Sequence, residues 1–128
     1  MQDAATGHLR FDVGLLSRRL AFATKEIVDC PEYRPFDVGY FGTSTGGAAA
    51  LRSAAALGST VRAVVSRGGR PDLAGEVLSH VTAPTLLIVG ERDDEVLRLN
   101  QLAYERLRCE NPSLSFCARH ISFPSQAR

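Results

Sequence analysis

The sequence predicts a three-layer α/β fold, in which helices cover both faces of a parallel β-sheet. Apolar runs of strand length, among them Val61 to Ser66 and Thr85 to Val89, alternate with longer segments whose apolar residues recur every three or four positions. Regular alternation of strands and helices is typical of parallel strands joined by right-handed crossovers. The run from Thr85 to Val89 is apolar throughout, as expected for a strand that is buried on both faces.

Length and composition limit the class of protein. The chain has 128 residues, a length that suits one domain. Its formal net charge of +1 gives no reason to expect nucleic acid or a membrane surface as a partner. Residues 1–10 lack a signal-peptide pattern and are predicted to be a disordered start. Cys30, Cys109 and Cys117 lack C-x-x-C spacing, so neither a metal site nor a disulfide framework is predicted. We expect a cytoplasmic protein with a small-molecule substrate.

The boundaries of the elements follow from apolar spacing and from glycine or proline breaks. Pro31 ends the first helix, Gly58 ends the second, and Pro84 ends the third. The first helix is predicted to bury Val13, Leu16, Leu20, Ala23, Ile27 and Val28. In chain order, the predicted elements are helix 11–28, strand 37–41, helix 45–57, strand 61–66, helix 73–81, strand 85–89, helix 96–107 and strand 114–117.

The most informative stretch is VGYFGTSTGGAAAL, from Val38 to Leu51. It combines a short strand, a G-x-S-x-G turn with Ser44 at its tip, and an alanine-rich helix. Such a turn holds its serine in a strained conformation with the hydroxyl exposed, and the first N–H groups of the helix face whatever the serine attacks. We expect both Gly42 and Gly46 to be required, because a Cβ at either position would collide with the neighbouring strand or helix. Ser44 is therefore a candidate nucleophile.

Two other interpretations of this turn remain open. Any doubly wound sheet can use a glycine-rich turn to pack a helix closely, and the motif can arise by chance in a chain rich in Gly, Ser and Ala. A phosphate-binding loop is the second alternative. Against it, GTSTGG lacks the GK[ST] ending of a Walker loop, and no further glycine pattern indicates a dinucleotide site.

A serine nucleophile needs a base, and the base needs an acid that orients it. Asp93 follows the strand at 85–89 most closely and is favoured as the acid over Asp94 and Glu95. Its alternative role is a solvated turn residue or the N-cap of the next helix.

The candidate base is His120, which follows the last predicted strand. His8 lies in the N-terminal start and His80 precedes a proline break, so neither competes well. The order Ser44, Asp93, His120 is the nucleophile, acid, histidine order of α/β-hydrolases. An exposed tail histidine without a catalytic role is the alternative.

Arg67 and Arg70 flank two glycines in SRGGRPD, in the loop after the second predicted strand. Two guanidinium groups near the strand ends could bind a carboxylate or phosphate of a substrate. Alternatively, both are solvated loop residues, and Asp72 caps the next helix.

Several of these stretches together resemble the dienelactone-hydrolase-like branch of the α/β-hydrolase superfamily, in particular the domain sometimes joined to a phosphoribosyltransferase. The resemblance covers about Leu9 to Asn111 and includes GYFGTSTGGAAAL, VRAVVSRGGRPDLAG and APTLLIVGERDDEVLRLN. It implies the C-terminal half of an α/β-hydrolase fold. It also implies Ser44 as nucleophile, Asp93 as acid and His120 as histidine, in an enzyme that hydrolyses an ester, lactone or thioester without a metal or organic cofactor.

Two departures from the family pattern suggest an alternative function. Family members carry upstream strands with an HGSG-like loop that donates one oxyanion N–H, and residues 1–10 hold no counterpart, which leaves the Thr45 N–H as the donor. The family's histidine turn precedes a final helix, whereas CARHISFPSQAR departs from that pattern. We therefore expect a truncated member with an open sheet edge.

Three functions are compatible with the sequence. The first is a serine hydrolase that acts through an acyl-enzyme. The second is a non-catalytic, hydrolase-derived domain that pairs its open edge with a partner chain or with a second copy in a homo-oligomer. The third is an anion-binding module built from Arg67, Arg70 and the helix start after Ser44.

Overall fold

The structure, a computed structural model, describes residues 12–90, 92–109 and 112–117, the last five of them by backbone alone. Between the strands lie two 3₁₀ segments, Gly58–Thr60 and Pro71–His80. The main elements are α1 (Val13–Val28), β1 (Val38–Ser44), α2 (Thr45–Leu57), β2 (Val61–Gly69), β3 (Thr85–Gly90), α3 (Asp94–Arg106) and β4 (Ser113–Cys117). None of the helices in these described ranges is both long and apolar enough to cross a lipid bilayer.

The four strands form one parallel sheet in the order β1-β2-β3-β4, which confirms the predicted α/β class. Consecutive helical elements contact one another: α1 packs on α2, α2 on the Pro71–His80 segment, and that segment on α3. Each strand lies on the same side of the one before it, so right-handed crossovers place all the connecting helices on the same face of the sheet. Of the three predicted layers, the described residues therefore form the sheet and one helical layer.

The hydrophobic core lies between the sheet and this helical layer. In β3, Thr85, Leu87 and Val89 are buried against the helices, whereas Leu86 and Ile88 are only half-buried on the other face. This strand was expected to be buried on both faces. Within the described residues, only the face toward the helices is fully buried. The small side chains of α2 allow close packing, and the largest residues of the core cluster are Tyr40, Leu51, Leu78, Leu87 and Leu107.

The buried face of α1 matches the predicted one only in part, since Val13 and Leu20 pack against the core as expected. Ala23 and Ile27 are exposed, and the buried residues of this helix are Ser17 and Thr24. Thr24 can be buried because its hydroxyl donates to the Leu20 carbonyl (2.8 Å) and meets the Tyr40 hydroxyl (2.7 Å). The prediction assigned only apolar residues to the buried face, and it therefore treated a hydrogen-bonded threonine as a surface residue.

The predicted helix over 73–81 was also wrong in type. Pro71–His80 is a 3₁₀ segment, interrupted at Gly75, whose φ of 67° is left-handed. A residue in this conformation ends a helical run, and glycine adopts it without steric cost. The two short turns still fill the crossover between β2 and β3.

Candidate active site

Ser44 lies at the junction of β1 and α2, and its backbone has φ 53° and ψ −131°. Among the described residues it is the only one other than glycine with a positive φ. A side chain in this region costs about 1–3 kcal/mol and persists only where the surroundings impose it. The residue is exposed, and its side chain does not cap the helix. The hydroxyl is therefore presented to solvent at the carboxyl end of the sheet.

The glycines around Ser44 have unequal roles. A Cβ on Gly42 would lie 2.6 Å from the carbonyl carbon of Gly46 and 2.8 Å from the nitrogen of Gly47. Both are backbone atoms of α2, which cannot move aside as a flexible side chain could. A Cβ on Gly46 would meet nothing within 4 Å, so the expectation that Gly46 is sterically required was wrong. The second restricted position is Gly47, where a Cβ would overlap the side chain of buried Ser66.

Thr45, the predicted oxyanion donor, is the first residue of α2. N–H groups of the first turn have no partner within the helix and carry the positive end of the helix dipole. The Thr45 N–H directly follows the nucleophile, which is the position of one oxyanion donor in a G-x-S-x-G turn.

Asp93 follows the end of β3 by three residues and is the N-cap of α3. Its carboxylate accepts a hydrogen bond from the backbone N–H of Val96 (3.2 Å), and its own N–H donates to the Gly90 carbonyl (3.2 Å). The capping interpretation is therefore correct, and it leaves the side chain exposed. Only β2 separates β1 from β3, so the two strand ends lie about 10 Å apart at the usual strand spacing.

The three histidines are placed differently. His120 and His8 lie outside the described residues, so the predicted base has no described position. β4, which precedes His120 in the sequence, pairs in parallel with β3. His80 ends the 3₁₀ segment that leads to the amino end of β3, on the opposite side of the sheet from Ser44. It lines a groove with Arg18 and Arg52 instead.

Arg67 and Arg70 both lie near Ser44, but only Arg70 forms an ion pair with a described residue. Arg67 is exposed in β2, opposite Thr43. Arg70 donates two hydrogen bonds to the carboxylate of Asp72 (3.0 and 2.9 Å), and this pairing raises the pKa of the guanidinium. Asp72 thus binds Arg70 rather than serving as the cap of the next helix.

Asn100 was missed at the sequence level. It is fully buried on α3, and its side-chain amide donates to the carbonyl of Gly69 (3.1 Å) and to that of Val96 (2.8 Å). One signal was present: Asn100 lies four residues after Val96 and three before Ala103, on the apolar face of the helix.

Comparisons with known proteins bear on the fold and on its family. No family model matches the chain. A crystal structure of dienelactone hydrolase from Anabaena variabilis superposes with a TM-score of 0.88 and 53% identity, over 91% of this chain and 54% of that one. The chain has the fold of a dienelactone hydrolase. The resemblance inferred from the motifs is therefore confirmed, and the sheet with its flanking helices is a portion of an α/β-hydrolase fold.

Two further relatives are much longer than this chain. Two Mycobacterium tuberculosis proteins, from strains CDC 1551 and H37Rv and provisionally named phosphoribosyl transferases, are each 58% identical to this chain over 93 residues. The match covers 73% of this chain and 21% of each relative. The chain thus spans about half the length of the dienelactone hydrolase and a fifth of the mycobacterial proteins, in keeping with a hydrolase-like domain joined to a phosphoribosyltransferase.

Proposed function

We propose that this chain acts as a serine hydrolase of the dienelactone-hydrolase type, which cleaves an ester, lactone or thioester in the cytoplasm. The observation that carries the proposal is the left-handed backbone of exposed Ser44 at a strand-to-helix turn. A non-glycine residue in this conformation is unfavourable unless it is imposed, and nucleophile turns impose it. The dienelactone hydrolase fold supports the same reaction class.

The proposed mechanism uses Ser44 and Asp93, which follow the carboxyl ends of β1 and β3, together with His120. His120 accepts the hydroxyl proton of Ser44 as the oxygen attacks the acyl carbon, and it returns that proton to the leaving group. Asp93 orients the imidazole and stabilises its protonated form. The Thr45 N–H and the α2 dipole stabilise the oxyanion. Water then attacks the acyl-enzyme, again with His120 as base, and releases the acid and free Ser44.

Substrate binding is assigned to the arginines beside the turn. Arg67 is exposed and has no ion-pair partner among the described residues, whereas Arg70 is held by Asp72. A carboxylate or phosphate on the substrate would therefore bind chiefly to Arg67, with Arg70 as a second, pre-oriented donor. Charge reversal at Arg67 should weaken the binding of anionic esters more than that of neutral ones.

The test is covalent labelling of the full chain with a fluorophosphonate probe. Ser44→Ala should abolish labelling, whereas Ser59→Ala, which changes another exposed serine beyond the end of α2, should leave it intact. Circular dichroism confirms that all three proteins are folded. A folded wild-type chain that takes up no probe contradicts the proposal.

A second candidate function rests on the exposed edge and outer face of β1. Phe41 is 64% exposed there, and a groove of about 490 Å³ runs along the strand beside Leu16, Leu20 and Ala50. β1 is the first strand in the described sheet order, so its outer side has no strand neighbour among the described residues. Open edges of this kind pair with other chains. The candidate is self-association of two copies through β1.

Light scattering distinguishes this candidate from the first. Phe41→Lys should convert a concentration-dependent dimer to monomer. Phe22→Lys, which changes an equally exposed phenylalanine on α1, should not. Self-association without probe labelling favours the binding function, and a monomer at all concentrations excludes it.

A further inference from the structure

One peptide group connects the helix that carries Asp93 to the backbone of Ser44. The carbonyl of Gly69 accepts a hydrogen bond from the side-chain amide of Asn100 on α3 (3.1 Å). The N–H of Arg70, which belongs to the same peptide group, donates to the carbonyl of Ser44 (3.0 Å). Because a peptide group is planar, rotation of this unit would weaken both hydrogen bonds together.

The position of this peptide group follows from the register of the sheet. Ser44 is the partner of Gly69 at the end of the β1–β2 ladder, after an irregularity next to Thr43. A Cβ on Gly69 would lie 3.3 Å from the Ser44 carbonyl oxygen, so the two backbones approach closely here. The Ser44 carbonyl is thus fixed by β2, and fixing it constrains the unusual ψ of Ser44.

Asn100 is a costly residue for this location. It is fully buried, and its Oδ1 atom has no hydrogen-bond partner among the described residues. An apolar side chain of similar volume would avoid that penalty. The two carbonyl acceptors, Gly69 and Val96, both face Nδ2, which fixes the orientation of the amide. Other side-chain hydrogen bonds of α3 in the described residues are local to the helix.

We infer that Asn100 is a positioning residue: it holds the Gly69–Arg70 peptide group so that Ser44 keeps its left-handed backbone, and it ties the helix capped by Asp93 to the same point. Chains of hydrogen bonds through one peptide group polarise and strengthen each other. Nucleophile and acid are thereby set in one rigid unit. The catalytic consequence rests on the proposed function, whereas the structural link does not.

The first experiment measures amide exchange of the Arg70 N–H by NMR in the full chain. Asn100→Leu, which keeps the volume but removes the donor, should speed exchange of this N–H at least tenfold relative to that of the core strands. The control is Thr24→Val, which removes a buried hydroxyl elsewhere in the helical layer. It should leave the Arg70 exchange rate unchanged. Equal Arg70 exchange in wild type and Asn100→Leu overturns the inference.

The second experiment measures labelling kinetics with the fluorophosphonate probe. Asn100→Leu should lower the maximal labelling rate at least tenfold and leave the half-saturating probe concentration unchanged, because the chemistry of Ser44 is altered and not its access. An equal rate in a folded variant overturns the positioning role. If the wild-type chain does not label, the proposed function is refuted but the positioning of Ser44 by Asn100 is not. The exchange rate of the Arg70 N–H then tests that positioning by itself.

A measurement on the wild-type chain covers the case in which Asn100→Leu does not fold. Scalar coupling across the hydrogen bond from Asn100 Nδ2 to the Gly69 carbonyl, together with slow exchange of the amide protons, is the expected result. Rapid exchange of these protons without coupling overturns the inference.

Discussion

The carboxylate of Asp93 accepts a hydrogen bond from the backbone N–H of Val96 at 3.2 Å, so the proposed catalytic acid is also the N-cap of α3. The two roles need different properties of the side chain. A cap needs an oxygen acceptor, which Asn supplies as well as Asp does. Stabilising an imidazolium needs the negative charge. Substitutions can therefore separate helix stability from catalysis at one position.

Asp93→Asn should keep the free energy of unfolding within about 0.5 kcal/mol of wild type, and Asp93→Ala should lower it by about 1 kcal/mol through loss of the cap. Both should reduce ester turnover about 10⁴-fold, because the histidine loses its charged orienting partner. Urea denaturation and a chromogenic ester assay measure the two effects. Full turnover in Asp93→Asn would assign Asp93 a capping role alone.

Gly42 and Gly46 form a matched pair for testing the geometry of the turn. Gly42→Ala should lower the free energy of unfolding by about 3 kcal/mol or more, because the new Cβ meets backbone atoms of Gly46 and Gly47. Gly46→Ala should be neutral or stabilising by up to about 1 kcal/mol, since its Cβ enters open space in the first turn of α2. Urea denaturation of both variants is the test, and similar losses would contradict the turn geometry.

Gly47 and Ser66 should show coupled effects on stability. Gly47→Ala places a Cβ against Ser66 Oγ and 3.2 Å from Ser66 Cβ, which should cost about 1–3 kcal/mol. In a Ser66→Gly background that contact is gone, so the same substitution should cost at least about 1 kcal/mol less. A double-mutant cycle by urea denaturation measures the coupling. Strict additivity would mean that the two residues do not pack together.

A buried chain of hydroxyls joins β1 to two helices. The Thr24 hydroxyl donates to the Leu20 carbonyl, so the Tyr40 hydroxyl must donate to Thr24 (2.7 Å) and accept from Ser53 (2.8 Å). Tyr40→Phe should lower the free energy of unfolding by about 1–3 kcal/mol, because Ser53 loses its acceptor in a buried site. Tyr33→Phe, at an exposed tyrosine, should change it by less than about 0.5 kcal/mol. Thermal and urea denaturation compare the two variants.

The order and type of most elements could be predicted because their patterns are local. Strand 85–89 and helix 96–107, for example, match β3 and α3 to within two residues at each end, since apolar spacing and a capping aspartate define them. The prediction failed where polar groups are buried. Thr24 is buried because it forms a hydrogen bond with Tyr40, and Asn100 because it forms one with Gly69. Gly69 is 31 residues away from Asn100 in the sequence.

Two residues of the candidate site, Ser44 and Asp93, could be placed at strand ends for the same reason, whereas the predicted base His120 lies outside the described residues. The turn at Ser44 and the cap at Asp93 each depend on a few neighbouring residues, and the structure places both at the carboxyl ends of strands. The requirement for Gly47 instead of Gly46 depends on the packing of Ser66 from another strand. Such a contact is set by the register between β1 and β2, which no local pattern specifies.

The sequential order of the strands has a consequence for how the chain folds during synthesis. Each strand pairs with the one made just before it, so every new βα unit can dock on a template that has already left the ribosome. Among the four described strands, no pairing has to wait for a distant segment, which keeps the loop-closure entropy of each step small. Assembly of these four strands can then proceed in the direction of translation, from β1 to β4.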